Sequence, residues 1–228
     1  MPKLKVKNSN DLIEIQNVFC VGKNYLDHIN EIDIPGIPKE IPSEPVIFLK
    51  PNTAVVSDSF VVSIPELNGK KISNNLQNEV ELVIIIGKDG KNINQADSFE
   101  YVYGYAVGID FTLRDLQNED KKKGLPWTVS KGFYSSAPVS EIVRKDEIVN
   151  PEKLRISLEI NGEQKQNAMT SEMIFKLDFI IHYISTIFGL RKGDIIFTGT
   201  PAGIARLNPG DVIKAKLESV GELIVKVE

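Results

Sequence analysis

The stretch Glu79–Gly87, EVELVIIIG, sets two carboxylates two residues apart in an otherwise apolar run. Its β-branched residues and its terminal glycine suit a strand. Residues two apart on a strand point to the same face, so Glu79 and Glu81 stand side by side. Charged groups are almost never fully buried unless something pairs with them or they bind a metal. Two like charges in such a run therefore need a cation. Asp110 ends a second apolar run, GYAVGID. If it comes to the same place, the site offers three hard oxygen ligands. That set suits Mg²⁺, Mn²⁺ or Ca²⁺ better than zinc.

Similar short runs rich in β-branched residues recur on both sides of this stretch. They cover 18–21, 46–49, 60–64, 102–111, 154–160, 194–198, 212–217 and 223–227. Asn161-Gly162 is the strongest hairpin signal, since a type I′ turn needs positive φ at both central positions. Lys192-Gly193-Asp194 and Pro209-Gly210-Asp211 mark two further turns, each leading into a strand. Helices are fewer. One is predicted from Thr112 to about Lys123, with Thr112 and Asp115 resembling a capping box and Gly124-Leu125-Pro126 ending it. Another is predicted from Ser171 to about Phe188. Its inner stripe is Ile174, Leu177, Ile181, Ile184 and Phe188, widened by Phe175, Phe179, Ile180 and Ile187. Helices do not alternate regularly with strands, which argues against a doubly wound sheet. The expected class is α+β, mainly β, with a few helices packed on the strands.

The chain has 228 residues, 42% hydrophobic and 25% charged, an ordinary globular composition. It is read as one catalytic domain over 1–228, with an N-terminal strand or extension at about 1–15. The net charge of −4 argues against nucleic acid as a main partner. No apolar run reaches the roughly 18 residues of a membrane span, and no secretory signal is visible, so the expectation is a cytoplasmic protein. The single cysteine, Cys20, excludes an internal disulfide, and its apolar neighbours make it a buried structural thiol. The segment from about 25 to 45 holds Pro35, Pro38, Pro42 and Pro45. A short helix around Leu26–Ile32 followed by an extended loop fits it, and a long loop of this kind often acts as a lid.

Other residues suggest chemistry, each with a plainer alternative. Arg114 and Gln117 follow Asp110 on the expected helix, where a cation and an amide would face a bound anion. Alternatively, Asp110 is an N-terminal capping carboxylate and Arg114 a surface charge. Lys131, in TVSKGF, is expected on a buried strand, where it either snorkels or meets an anion. His28 and Glu31 are neighbours on a helix. Such a pair can act as a general base on water, and it is also common on solvated surfaces. His182 is read as a core or interface residue. Thr198-Gly199-Thr200-Pro201 either holds a carboxylate with its amides and hydroxyls or is a plain turn.

The order FCVGKNYLDHINE, PVIFLKP, NEVELVIIIGK, GYAVGIDFTLRDLQ, KKKGLPWTVSKGF and DIIFTGTPAGI resembles the fumarylacetoacetate hydrolase family, from about Val18 to the C-terminus. The likeness is to the short, single-domain branch that contains acylpyruvate hydrolase and oxaloacetate decarboxylase activities. The resemblance implies a mixed β-sandwich roll and a homodimer. It implies that Glu79, Glu81 and Asp110 hold one Mg²⁺ or Mn²⁺ per subunit, with Lys131, Gln117 and Arg114 near the substrate. It implies that His28 and Glu31 ride on a lid as a water-activating dyad. Thr200 and the backbone near Gly22 and Lys23 would hold the carboxylate end of a 2-oxo acid.

Two positions depart from the family pattern. Gln77 and Asn78 stand where a histidine often precedes the first glutamate, and Lys23 replaces a commoner arginine. The expected activity is hydrolysis of acylpyruvate-type 2,4-diketo acids, with decarboxylation of oxaloacetate. The alternatives are an isomerase or decarboxylase of 2-hydroxyhepta-2,4-dienedioate-type intermediates, an oxaloacetate tautomerase, and a non-catalytic binding protein.

Overall fold

A computed structural model describes residues 1–32, 34–36, 39–57 and 60–228. Its main strands are β1 (Val18–Gly22), β2 (Val46–Lys50), β3 (Val61–Val62), β4 (Val80–Ile86), β5 (Val102–Ile109), β6 (Val143–Arg144), β7 (Arg155–Ile160), β8 (Glu163–Met169), β9 (Ile195–Phe197), β10 (Val212–Leu217) and β11 (Gly221–Val227). The helices are α1 (Leu26–Glu31), α2 (Arg114–Lys123), α3 (Thr128–Lys131) and α4 (Leu177–Ile187). A six-stranded sheet runs β6-β5-β4-β9-β1-β2, and a five-stranded sheet runs β8-β7-β10-β11-β3. Most pairs are antiparallel, with β9–β1 and β11–β3 parallel. The class is mainly β α+β, as expected.

The apolar run around Glu81 becomes the centre of the six-stranded sheet. Val80, Leu82, Ile84 and Ile86 face a large cluster shared with the second sheet and α4. Val83 and Ile85 face a second cluster with Cys20, Val55, Ala137 and Phe197. A strand buried on both faces has no polar side, hence the lack of alternation. Gly108, opposite Glu81 in β5, is needed for close packing. A Cβ there would lie 2.6 Å from Phe197 Cε1 and 2.7 Å from Val83 Cγ2.

The hairpin forms at Asn161-Gly162, with φ of 52° and 82°. Its second arm, β8, was not among the expected strands. EQKQNAM is polar because β8 is an edge strand on which only Gln166 is fully buried. Lys3–Lys5 pairs antiparallel with Leu12–Glu14. Positions 33, 37 and 38 of the expected lid lie outside the described residues. Among the described residues no helix is long and apolar enough to cross a membrane.

Four local expectations are corrected. Thr112 does not cap a helix: Thr112–Leu113 pairs with Leu76–Gln77, and α2 starts at Arg114, whose N–H bonds to Asn75. Asp115 instead takes the Asn74 N–H at 2.9 Å and the Ser73 hydroxyl. The helix predicted over 171–188 is two pieces, a 3₁₀ turn at Thr170–Glu172 and then α4. Asn24 interrupts it. Its carbonyl takes the Ile174 N–H and its side chain takes the Phe175 N–H, so these amides do not enter a helix. Ile187 and Phe188 are exposed rather than part of the inner stripe.

Lys131 ends the short helix α3 and is not on a strand. Its N–H bonds to Trp127 and that of Gly132 to Thr128, so the alternation of Trp127, Val129 and Phe133 is incidental and Val129 points to solvent. Overpacking of a filled site costs about 1–3 kcal/mol. Gly108→Ala should therefore lower the thermal midpoint by several degrees without loss of the native circular-dichroism spectrum.

Candidate active site and metal centre

Glu79 sits just before β4, Glu81 within it and Asp110 just after β5. The antiparallel register brings them together: Glu81 faces Gly108, and the Asp110 N–H donates to the Glu79 carbonyl at 2.8 Å. One carboxylate oxygen from each lies within 4.8 Å of the others. Glu79, Glu81 and Asp110 are 4%, 2% and 1% exposed. Three carboxylates in so little water would repel one another strongly, so the surrounding donors decide whether they can stay ionised.

Glu79 is well compensated. Lys131 Nζ lies 2.6 Å from its Oε2, and Arg114 pairs with its Oε1. Burial pushes its pKa up, but Lys131 and Arg114 outweigh burial and hold the carboxyl below the usual range. Asp110 faces Lys131 at 2.7 Å and Lys50 at 2.7 Å. Its Oδ1 nevertheless accepts no hydrogen bond among the described residues, because Lys50 is not in line for one. Glu81 has no ion pair among the described residues and accepts only the Gly199 N–H, at 2.7 Å. Burial, Asp110 and Glu79 together drive its pKa well up. A hard divalent cation would meet both wants, a lone pair on Asp110 and a charge for Glu81, so the acids fit such an ion.

Lys50 was not singled out in the sequence. Its ammonium also donates to the carbonyls of Lys131, Phe111 and Ser136, which ties β2 to the chain that carries Lys131 and Asp110. Burial lowers the Lys131 pKa, but Asp110 and Glu79 raise it further and keep its ammonium charged. Arg114 is buried, not a surface charge. It donates to Gln77 at 2.7 Å and to Gln117 at 2.6 Å, so Gln77 and Gln117 aim the guanidinium at Glu79.

Gln166 is the other residue that sequence reading missed. It is fully buried. Its amide donates to Thr200 Oγ1 and to the Pro201 carbonyl, both at 2.8 Å. Its Oε1 accepts from Val80 N and from Asn78 Nδ2. Asn78 accepts in turn from the Ala205 N–H. The loop 198–205 is thereby fixed to the start of β4, with Thr200 in the pocket wall. A glutamine in a polar edge strand carries no local signal for this role.

The His28 and Glu31 side chains approach at 3.4 Å on α1, with His28 buried and Glu31 partly exposed. Glu31 Oε1 also accepts the Gly203 N–H at 2.9 Å. His28 lines the same pocket as Gly22, Lys23, Glu79, Glu81, Asp110, Arg114, Gln117, Lys131 and Thr200. All eleven residues singled out as site candidates are thus adjacent except Glu31, which reaches the pocket through His28. His182 lies elsewhere, on α4, with Nδ1 2.7 Å from the Ile93 carbonyl oxygen.

The fumarylacetoacetate (FAA) hydrolase C-terminal family matches residues 17–228. The chain belongs to the fumarylacetoacetate hydrolase family. It is 44% identical over 213 residues to mouse oxaloacetate tautomerase FAHD1, covering 93% of this chain and 92% of that one. The fumarylpyruvate hydrolase of Pseudomonas aeruginosa, solved with Mn²⁺ and pyruvate, superposes with a TM-score of 0.91 at 34% identity. That match covers 99% of this chain and 95% of the other. The 2-hydroxyhepta-2,4-diene-1,7-dioate isomerase of Mycobacterium marinum gives 0.80 at 35%, covering 94% and 75%. Family membership and the acid cluster make this chain an enzyme.

Glu81 tests the charge argument. A carboxyl with a raised folded pKa favours folding below its unfolded pKa, and this contribution is lost as pH rises through the folded one. With metal chelated, Glu81→Gln should therefore melt at or above the wild-type temperature, and the gap should widen as pH rises. The same variant should lose the upward melting shift that Mn²⁺ gives the wild type. A Glu81→Gln protein that melts well below wild type under chelation would refute this account.

Proposed function

We propose a divalent-metal-dependent C–C hydrolase and lyase of pyruvate-type 2-oxo acids, built as one catalytic unit. The observation that carries it is the convergence of the acid cluster and the His28–Glu31 pair on one pocket. In this reading Glu79, Glu81 and Asp110 hold one Mg²⁺ or Mn²⁺. When bound, the cation supplies Lewis-acid charge for the electron pair that collects on the 2-oxo group.

The chain's own residues do the rest. Lys131 adds fixed positive charge where the enolate develops. Arg114 and Gln117 bound the pocket on the α2 side, and Thr200 with the backbone of Gly22 and Lys23 hold the substrate carboxylate. For an acylpyruvate, His28 takes a proton from water, and Glu31 steadies the resulting imidazolium. The water oxygen adds to the distal carbonyl, and the bond between that carbon and C3 breaks. Its electron pair passes into the enolate of pyruvate, which is then protonated at C3, and the acyl part leaves as a carboxylic acid. For oxaloacetate no water is consumed: CO₂ departs and the same enolate forms.

A second reading has specific support in the 44% identity to oxaloacetate tautomerase FAHD1. Keto–enol interconversion of oxaloacetate breaks no C–C bond: it moves a proton between C3 and the 2-oxo oxygen through oxaloacetate's own enolate, which keeps its C4 carboxylate, with His28 as carrier. On the same footing we infer a homodimer in the reducing cytoplasm. The supporting features are the edge position of β2 with exposed Leu49, the exposed Ile187 and Phe188, and one buried thiol.

A panel of acetylpyruvate, fumarylpyruvate, oxaloacetate and 2-hydroxyhepta-2,4-dienedioate, with Mn²⁺ and with chelator, tests this. Glu81→Ala should abolish every activity. His28→Ala should cut hydrolysis and tautomerisation by about 10²–10⁴-fold, the usual worth of a general base, and largely spare decarboxylation. Equal loss of all three would remove the division of roles. A wild-type protein inert on the whole panel would favour a binding protein.

A further inference from the structure

The pocket at the acids is very small, about 30 Å³. A water needs at least about 10–15 Å³ on this measure, so the space suits only the head of an oxo acid. It adjoins a chamber of about 410 Å³. Lys23, His28, Ile32, Lys121 and Trp127 line both, which makes them the neck between the two. Ile29, Ile34, Gly124 and Leu125 continue the chamber wall, with Lys39 and Asp120 as its other charged side chains, so the wall is mainly apolar.

Lys121 stands out at this neck. Arg114, Gln117 and Lys121 fall on one face of α2, at i, i+3 and i+7. Arg114 reaches Glu79, and Lys121 lies about 10 Å further along the helix axis. Its ammonium sits 5.1 Å from the centre of the Trp127 ring. Among the described residues it makes no hydrogen bond or ion pair. The nearby Asp120 carboxylate instead takes the Ser130 hydroxyl. Desolvation and the Arg114 charge lower the Lys121 pKa to about 7, the condition of a cation short of a counter-charge.

We propose that Lys121 reads a carboxylate at the far end of the substrate, whose carbon chain lies in the apolar chamber. This rests on the 2-oxo acid reading above and narrows it to 2-oxo dicarboxylates longer than oxaloacetate. Oxaloacetate has only one methylene and one carboxylate beyond its oxo-acid head and would leave most of the chamber to water. A longer acylpyruvate ending in a carboxylate fills the apolar wall and supplies the missing anion. Lys121 is in this account a specificity residue and touches none of the bonds that break.

Trp127 is the only tryptophan in the chain and lines both cavities, so its fluorescence reports occupancy. The probes are 2-oxoadipate and 2-oxohexanoate, which share the head and differ in a terminal carboxylate or methyl. With Mg²⁺ present, the wild type should bind 2-oxoadipate about 10- to 100-fold more tightly, as expected for one charge-assisted contact. Lys121→Met should bring the two affinities together by weakening 2-oxoadipate alone, and Lys121→Arg should restore part of the gap. The same split should appear in KM, not kcat, for fumarylpyruvate against acetylpyruvate. Equal wild-type affinities, or an unchanged gap in Lys121→Met, would overturn the assignment and leave the proposed function standing. Binding of neither probe would overturn that function as well.

Discussion

Three carboxylates meet at one end of the central sheet because two strands with no polar face carry them there. β4 must bury both faces, so the backbone just before it and within it is held to a fixed depth. The register with β5 then leaves Asp110 no place but beside Glu79. Such burial is tolerable only with compensating charge, and Lys50, Arg114 and Lys131 converge on Glu79 and Asp110 for that reason. Glu81 is left outside this compensation. The unevenness separates a cation site from a saturated salt-bridge network, since a saturated network has no carboxylate to spare.

The same constraint shapes the polar residues behind the acids. A charged floor must not slide, and buried polar groups behind it hold it in place. Lys50 gathers three carbonyls, and Gln166 gathers Val80, Asn78, Thr200 and Pro201. Each is fully or nearly fully buried. A buried donor or acceptor that loses its partner costs about 1–3 kcal/mol, so each such network resists distortion more than a single contact would. Gln77 and Asn78, where the family pattern often has a histidine, both belong to this framework: one aims Arg114 and the other ties down Ala205.

The strands and the three acids were legible in the sequence because burial and alternation are local properties. β8 was not, since an edge strand shows solvent most of its side chains. The boundaries of α2 and α4 were misplaced for a related reason. Asn75, Asn24 and the pairing of Thr112 with Gln77 capture the terminal amides, and these partners are remote in the chain. Lys131 was found as a residue but given the wrong element. A short turn with an outward valine imitates strand alternation. Lys50 and Gln166 show nothing local at all, because their meaning lies in which carbonyls and amides come within reach after folding. Lys121 is intermediate: its spacing from Arg114 and Gln117 was readable, but its chamber was not.

The floor and the His28–Glu31 pair are also held in different ways. The acids belong to strands paired along most of their length. His28 and Glu31 sit on a six-residue helix, too short to persist alone. Its place depends on distant ties: Tyr25 bridges Met173, Asn24 holds Phe175 and Thr198, and the Gly203 N–H meets Glu31. Ile29 and Ile34 add apolar anchorage on the side of the chamber. A ligand that fills this chamber touches the same residues that hold the helix down. The chamber wall and the seat of the His28 imidazole thereby share residues. An enzyme built in this way can keep its charged floor constant while what fills the chamber bears on how His28 is seated.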